Sequence, residues 1–514
     1  MNGAESLVRT LVAGGVDVCF TNPGTSEMHF VAALDKVPGM RCVLGLFEGI
    51  VTGAADGYFR MKGSPASTLL HLGPGLANGL ANLHNAKKAN SGVVNIVGQH
   101  ATYHIGYNAP LTSDIEGLAR PMSSWVRTSP DARSVASDGA AAIAAAKSAP
   151  PQIATLILPA DTAWNEADGI AEVATDAQRP SYSAQAVETA AKVLRGGEPT
   201  LLLMTGSAVT EQGLALAAQI AGKTGCKVMG PLASPRMARG VGRFSIDRIP
   251  YPIDQALAVL KGFRHIVLVE ANEPVAFFAY PNKPSLLKPE GCEVHRMTSS
   301  GENSVAALEA LASAVGARAA DVKPQAKVDL VKPTGALTHA SIAQAIAVAV
   351  PDNAILVDES ITTGRGFFPV MAGAAPHDWI QNLGGSIGYS TPVATGAAIA
   401  CPDRKVICMV GDGSAMYTIQ SLWTQAREGL NVVTIVFANR IYQILRGEFD
   451  GVGAGEPGKR AQDMLRIDSP TLDFVALAKG MGVPGRAVTT VDAFNQALAD
   501  AVAEPGPRLI EVQI

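Results

Sequence analysis

The sequence predicts an α/β protein made of three doubly wound parallel-sheet domains. Three observations carry that expectation. Apolar runs of strand length alternate with helix-length segments throughout. Two polar stretches containing Asp and Pro, at about 161–183 and 319–333, interrupt the alternation and leave blocks 1–165, 184–320 and 337–514. Residues 406–439 form a complete unit: an apolar strand, a break at Gly411-Asp412-Gly413, an amphipathic helix, and a second apolar strand ending at Asn439. A chain of 514 residues is also longer than one core usually supports.

In the first block, strands are expected at 16–20, 41–46, 68–72, 93–97 and 153–158. Helices should run through Val12, from about Ser26, and over 49–60. The middle block gives strands at 200–204, 227–229 and 265–269. It has no Gly-rich turn opening a helix after a strand, so a dinucleotide site there is unsupported. The last block adds strands at 355–357 and 508–512 around the 406–439 unit.

With 47% hydrophobic residues, 17% charged residues and a net charge of −4, the composition offers no footprint for nucleic acid or an anionic membrane. Six scattered cysteines without metal-ligand spacing are expected to be buried thiols. No apolar run reaches the length of a membrane span, and residues 1–20 read as a helix entering a strand rather than as a leader. A cytoplasmic location is expected.

Ligands of parallel sheets sit at the carboxyl ends of the strands. There, Asp412 and Asn439 offer hard oxygens, while Gly411, Gly413 and the N–H groups from Ser414 and Ala415 onward suit an anion. The reading is a Mg²⁺ and diphosphate anchor, against a plain Gly-Asp-Gly turn. Glu48 follows an apolar strand and opens a helix of small residues. It is either a buried functional acid or a charge favouring the helix dipole. His71 ends a strand before Gly73-Pro74-Gly75, as an acid/base group or a structural histidine. In Asn22-Pro23-Gly24-Thr25-Ser26-Glu27, Thr25 or Ser26 reads equally well as a helix cap.

These motifs, in this order, resemble the thiamine diphosphate (ThDP) enzyme family. Gly411-Asp412-Gly413 closed by Asn439 resembles its cofactor signature, although Ala438 replaces the first Asn of the usual pair. The likeness is greatest to benzoylformate decarboxylase and to proteins called acetolactate synthase large-subunit-like. By that likeness, the blocks are a pyrimidine domain, a middle domain and a diphosphate domain. The metal ligands would be Asp412, Asn439 and the carbonyl of Ile441, with Thr362 at the diphosphate. Gly385 would accept the 4′-amino group, and Ile387 would wedge between the cofactor rings. Glu48 would activate the aminopyrimidine, His71 would exchange protons with intermediates, and Thr25 would contact substrate.

Ile444, Leu445 and Glu448 fall where the family builds its substrate pocket. Arg446 could meet a carboxylate there or lie at the surface. The aromatic residues of benzoylformate decarboxylase are missing from this segment, as is its second His in the stretch Val275-Ala276-Phe277-Phe278-Ala279. A smaller or more polar substrate is therefore expected. Gly98-Gln99-His100-Ala101 and the short middle block imply no FAD. The resemblance implies Mg²⁺-dependent decarboxylation of a 2-oxo acid, the enamine then being ligated to a second carbonyl or protonated to an aldehyde. A homodimer or homotetramer with shared sites would do this work, and a cofactor-binding but non-catalytic partner subunit is the alternative.

Overall fold

The structure, a computed structural model, describes every residue except 175–179. The expected linker at about 161–183 includes those five, which lie outside the described residues. Its start is helical, Ala160–Trp164, and its next turn bridges back to the N-terminus through Asn2 and Glu166.

Strands β1 (Val18–Asn22), β2 (Arg41–Leu44), β3 (Ala66–Leu70), β4 (Val93–Gln99), β5 (Trp125–Thr128) and β6 (Ile153–Pro159) form a parallel sheet in the order β2-β1-β3-β4-β6-β5. The central strands are buried on both faces because helices cover both, as in doubly wound sheets generally. The second sheet contains β7 (Thr200–Met204), β8 (Lys227–Gly230), β10 (Asp247–Arg248), β11 (His265–Val269) and β12 (Glu293–Thr298), ordered β10-β8-β7-β11-β12. The third combines β13 (Ala354–Glu359), β14 (His377–Gln381), β15 (Val406–Gly411), β16 (Val432–Ala438), β17 (Gly485–Val488) and β18 (Arg508–Gln513), ordered β17-β18-β16-β15-β13-β14.

One strand crosses the expected divisions. β9 (Met237–Arg239) comes from the middle block and pairs antiparallel with β14, closing an edge of the third sheet. The third sheet is therefore mixed rather than wholly parallel. Buried clusters likewise run between blocks, joining Val51 and Ala54 to Val393 and Ala397. Helices Glu48–Lys62 and Ser390–Ala400 approach closely enough that a Cβ on Gly396 would lie 1.8 Å from the Ala54 carbonyl oxygen. Arg60 locks this contact: wholly buried, it pairs with Asp56 at 2.8 Å and donates to the Gln381 carbonyl at 2.6 Å.

Two expectations are corrected here. The helix after Gly413 is not continuous; it breaks into Asp412–Ala415 and Ser421–Arg427. Thr418, in the gap, instead donates to the Gly388 carbonyl at 2.9 Å, a tertiary bond that no periodicity reveals. The cysteines are not all buried either: Cys42 is exposed because β2 is an edge strand, and Cys401 is half-buried.

Candidate active site

Strand β15 runs buried to Val410 and ends at Gly411, and Asp412 opens the short helix that follows. The Asp412 carboxylate is 4% exposed. It accepts from the Gly413 N–H at 2.9 Å and, across the end of β16, from the Arg440 N–H at 2.6 Å. Burial raises its pKa, and among the described residues no cationic side chain forms an ion pair with it. Asn439 lies at the neighbouring strand end, its Oδ1 accepting the Ile441 N–H at 3.1 Å. The Ile441 carbonyl accepts from Gln443 at 2.9 Å, which leaves it a second lone pair.

The glycines of this turn differ in role. A Cβ on Gly413 would lie 2.4 Å from the Tyr442 ring, whereas one on Gly411 would meet nothing within 4 Å. Close approach by Tyr442 thus demands glycine at 413. No side chain from outside the turn caps this helix, so apart from the Gly413 N–H, which the Asp412 carboxylate takes, the N–H groups of its first turn are left to an anion.

Glu359 organises the next loop. Its carboxylate accepts from the N–H groups of Gly388, Tyr389 and Ser390 at 2.9 to 3.3 Å, capping the helix Ser390–Ala400. Burial pushes it up to about 7 against the pull of those donors. Thr362 is half-buried, and its hydroxyl makes no hydrogen bond among the described residues. Gly385, at φ +77, packs under Phe277 of the middle block, and Ile387 lines the same cleft. The helix Leu72–Lys88 of the first block grips this loop. Asn85 donates to the Ser386 carbonyl at 2.9 Å, and His84 Nε2 lies 3.0 Å from that of Gly384.

The cleft has a volume of about 1830 Å³ and takes walls from all three blocks. Ser414, Ile444, Leu445 and Glu448 line it, but Arg446 is exposed and lies outside its walls. Glu448 faces the middle block, accepting from Tyr251 at 2.8 Å and from Tyr280 at 2.5 Å. Phe277, Phe278 and Tyr251 add an aromatic wall from the middle block. Sequence reasoning missed this wall because it looked for aromatic residues only after Asn439.

A second group gathers at the carboxyl ends of the first sheet. Glu48 starts its helix half-buried, with Oε2 accepting from Asn78 at 3.0 Å. His71 caps the helix Leu72–Lys88, and its Nδ1 lies 2.7 Å from Oε2 of Glu27, which is itself only 2% exposed. That oxygen also accepts the Gly24 N–H at 2.7 Å. Burial raises the Glu27 pKa, with the charge of His71 opposing. A Cβ on Gly75 would stand 3.3 Å from Glu48 Oε1 and 3.4 Å from the Cβ of His71, so the two side chains flank one glycine.

Thr25 is exposed, and neither it nor Ser26 caps a helix; Gly24 and Glu27 make the cap instead. Glu27 stood in the sequence motif without a role, and its position three residues after a cap was the available signal. Glu48, His71 and Thr25 do not line the large cleft. No hydrogen bond or ion pair among the described residues joins them to Asp412 or Asn439.

Residues 1–118 match the thiamine pyrophosphate enzyme N-terminal TPP binding domain, and residues 366–512 match the C-terminal TPP binding domain. The chain belongs to the thiamine pyrophosphate-dependent enzyme family. It is 51% identical to IlvX of Mycobacterium tuberculosis, named as an acetolactate synthase large subunit, over 100% of this chain and 99% of that one. It is 30% identical to benzoylformate decarboxylase of Pseudomonas aeruginosa, covering 97% and 96%. The solved 4-hydroxybenzoylformate decarboxylase of Rhodococcus jostii RHA1 superposes with a TM-score of 0.87 at 26% identity, covering 100% and 99%.

The residues of this ThDP enzyme fit its cofactor. Open N–H groups at the Asp412 helix and the unspent Thr362 hydroxyl suit a diphosphate. A buried carboxylate without an ion-pair partner beside an amide and a carbonyl oxygen is the donor chemistry of a hard divalent cation. Among the described residues, no helix is long and apolar enough to cross a membrane.

Proposed function

We propose that this ThDP enzyme decarboxylates a 2-oxo acid with Mg²⁺ at sites shared between subunits. The observation that carries the reading is the separation of two internally organised groups. Glu48, His71 and Thr25 share one end of the first sheet, and Asp412 and Asn439 share an end of the third, with no hydrogen bond or ion pair among the described residues joining the two groups. A second copy would supply each with its complement, in a homodimer or a homotetramer.

Asp412, Asn439 and the Ile441 carbonyl would hold Mg²⁺, while Thr362 and the open N–H groups would hold the diphosphate. When bound, ThDP supplies a nucleophilic carbon and an electron sink for carbanion chemistry. Glu48, half-buried at a helix start, would share a proton with the aminopyrimidine nitrogen. Gly385 and Ile387, in the loop that Asn85 and His84 hold, would offer the cofactor a carbonyl and a bulky side chain. His71, held at Nδ1 by Glu27, would exchange a proton with the substrate through Nε2, and Thr25 would donate to the substrate.

Against the smaller or more polar substrate expected from residues 444–448, the aromatic wall from the middle block favours a 2-oxo acid with a bulky apolar side chain over pyruvate. Protonation after loss of CO₂ would release an aldehyde. The second reading, ligation to another carbonyl, is supported by the identity with the protein named as an acetolactate synthase large subunit. NMR product analysis with ThDP, Mg²⁺ and a panel from pyruvate to benzoylformate, with and without an aldehyde acceptor, separates the two. Full activity in Glu48→Gln would overturn the mechanism. Silence across the panel with cofactor bound would favour a non-catalytic partner subunit.

A further inference from the structure

The middle sheet carries a cluster of ionisable side chains with no part in cofactor chemistry. His265 and Glu293 open β11 and β12 and stand opposite each other in parallel register. His295 lies two residues along β12, on the same face as Glu293 because side chains alternate along a strand. Register and alternation together bring three potential ligands to one point of the sheet.

Their nearest atoms form a small triangle. His265 Nδ1 lies 3.2 Å from His295 Nε2, and each of these nitrogens lies 3.7 Å from the same Oε2 of Glu293. Zinc ligands at roughly 2.0–2.2 Å in tetrahedral geometry stand about 3.3–3.6 Å apart, so the three atoms nearly form one face of such a tetrahedron. We propose that His265, Glu293 and His295 bind a divalent transition metal, of which Zn²⁺ is the fitting example, with its fourth position open to water.

A second carboxylate supports the arrangement. Glu198 Oε2 lies 3.0 Å from His265 Nε2, so it takes the proton of that nitrogen and leaves the Nδ1 lone pair facing the centre. Carboxylates behind ligating imidazoles commonly fix the ring in this way. The histidine side chains are 13% and 20% exposed and that of Glu293 is 68% exposed, so an ion can enter from solvent. Two imidazoles and one carboxylate select Zn²⁺, Ni²⁺ or Cu²⁺ over Mg²⁺ and Ca²⁺.

The site sits at the amino ends of β11 and β12, whereas the large cleft meets these strands toward and beyond their carboxyl ends, at Arg296, at Glu270 and at Ser299 to Gly301. It is therefore independent of the cofactor site. A metal here would clip the edge strand β12 to its neighbour.

The test is Zn²⁺ titration of chelator-treated full-length protein, with ThDP and Mg²⁺ saturating, against a chromophoric competitor. One Zn²⁺ per chain, weakened about 10- to 100-fold in His295→Ala and in Glu293→Gln, is the expected result. His29→Ala should leave binding unchanged, and ThDP affinity should be the same in all four proteins. The Glu293 side chain is largely exposed, so Glu293→Gln should fold even if His295→Ala does not. Co²⁺ substitution adds a readout, an intense tetrahedral visible spectrum that the variants lose. Absence of Zn²⁺ binding in the wild type, or equal binding in wild type and in Glu293→Gln, would overturn the proposal.

Discussion

His71 and Glu27 form a pair in which the carboxylate is the buried partner: 2.7 Å separates Nδ1 from Oε2, with His71 24% exposed and Glu27 1% exposed at the side chain. The imidazole thus faces outward with its tautomer and orientation set from behind.

Glu27→Gln should lower kcat by about 10² while leaving KM nearly unchanged, because the loss falls on proton transfer rather than on substrate contact. The check is the pH profile of kcat, which should change in the variant because the buried Glu27 carboxyl, held above its ordinary range, is gone. A wild-type profile would remove Glu27 from proton handling.

Asp412→Ala deletes the buried carboxylate that bridges Gly413 and Arg440. Affinity for ThDP with Mg²⁺ should fall by about 100-fold or more if, as proposed, Asp412 is the charged ligand of the metal. Calorimetric titration reads this directly, and Mg²⁺-dependent cofactor retention equal to wild type would refute the assignment.

Arg60→Ala leaves the Asp56 carboxylate buried and unpaired between the first and third domains. The expected cost is about 3–5 kcal/mol of stability, seen as a large fall in Tm. Replacing both residues together with apolar ones should cost less than Arg60→Ala alone.

The pH dependence of stability should carry a mark of Glu359. Its folded pKa is raised from 4.5 to about 7, so its stabilising contribution is present below about 4.5 and lost as pH rises through about 7. The difference amounts to roughly 3 kcal/mol. Glu359→Gln should be less stable than wild type at pH 5, with the gap narrowing toward pH 8 in thermal unfolding. A gap independent of pH would show that Glu359 does not titrate in this range.

Strands whose sequence is uniformly apolar were legible: 200–204 and 265–269 match β7 and β11 at both ends. The reading missed β5, β9, β10, β12, β14 and β17. β5, β12 and β17 are sheet edges, where one side of the strand meets solvent and apolar patterning is not required. β9 and β10, also at edges, have only 3 and 2 residues, too few for a pattern. β14 is fully buried yet carries Asp378, whose charge Arg236 and Arg404 pair from distant segments.

Within the site, Glu48, His71, Asp412 and Asn439 could be found because each sits at a strand end in a recognisable local motif. Glu27, Asn85 and the Phe277 wall act through contacts made across 44 to 301 residues of chain or between domains, and local sequence holds no trace of such contacts.

The antiparallel pairing of β9 with β14 has a mechanical consequence. Arg239, on β9, also donates to the Phe368 carbonyl at 2.6 Å, and Arg243 just beyond donates to that of His377 at 2.6 Å. A hinge opening that carried the middle block away from the third would have to strip a strand from the sheet and break both arginine anchors. The cleft between these two bodies is therefore fastened along this edge by backbone pairing as well as by side chains, so its width is set by the fold and not by side-chain packing alone.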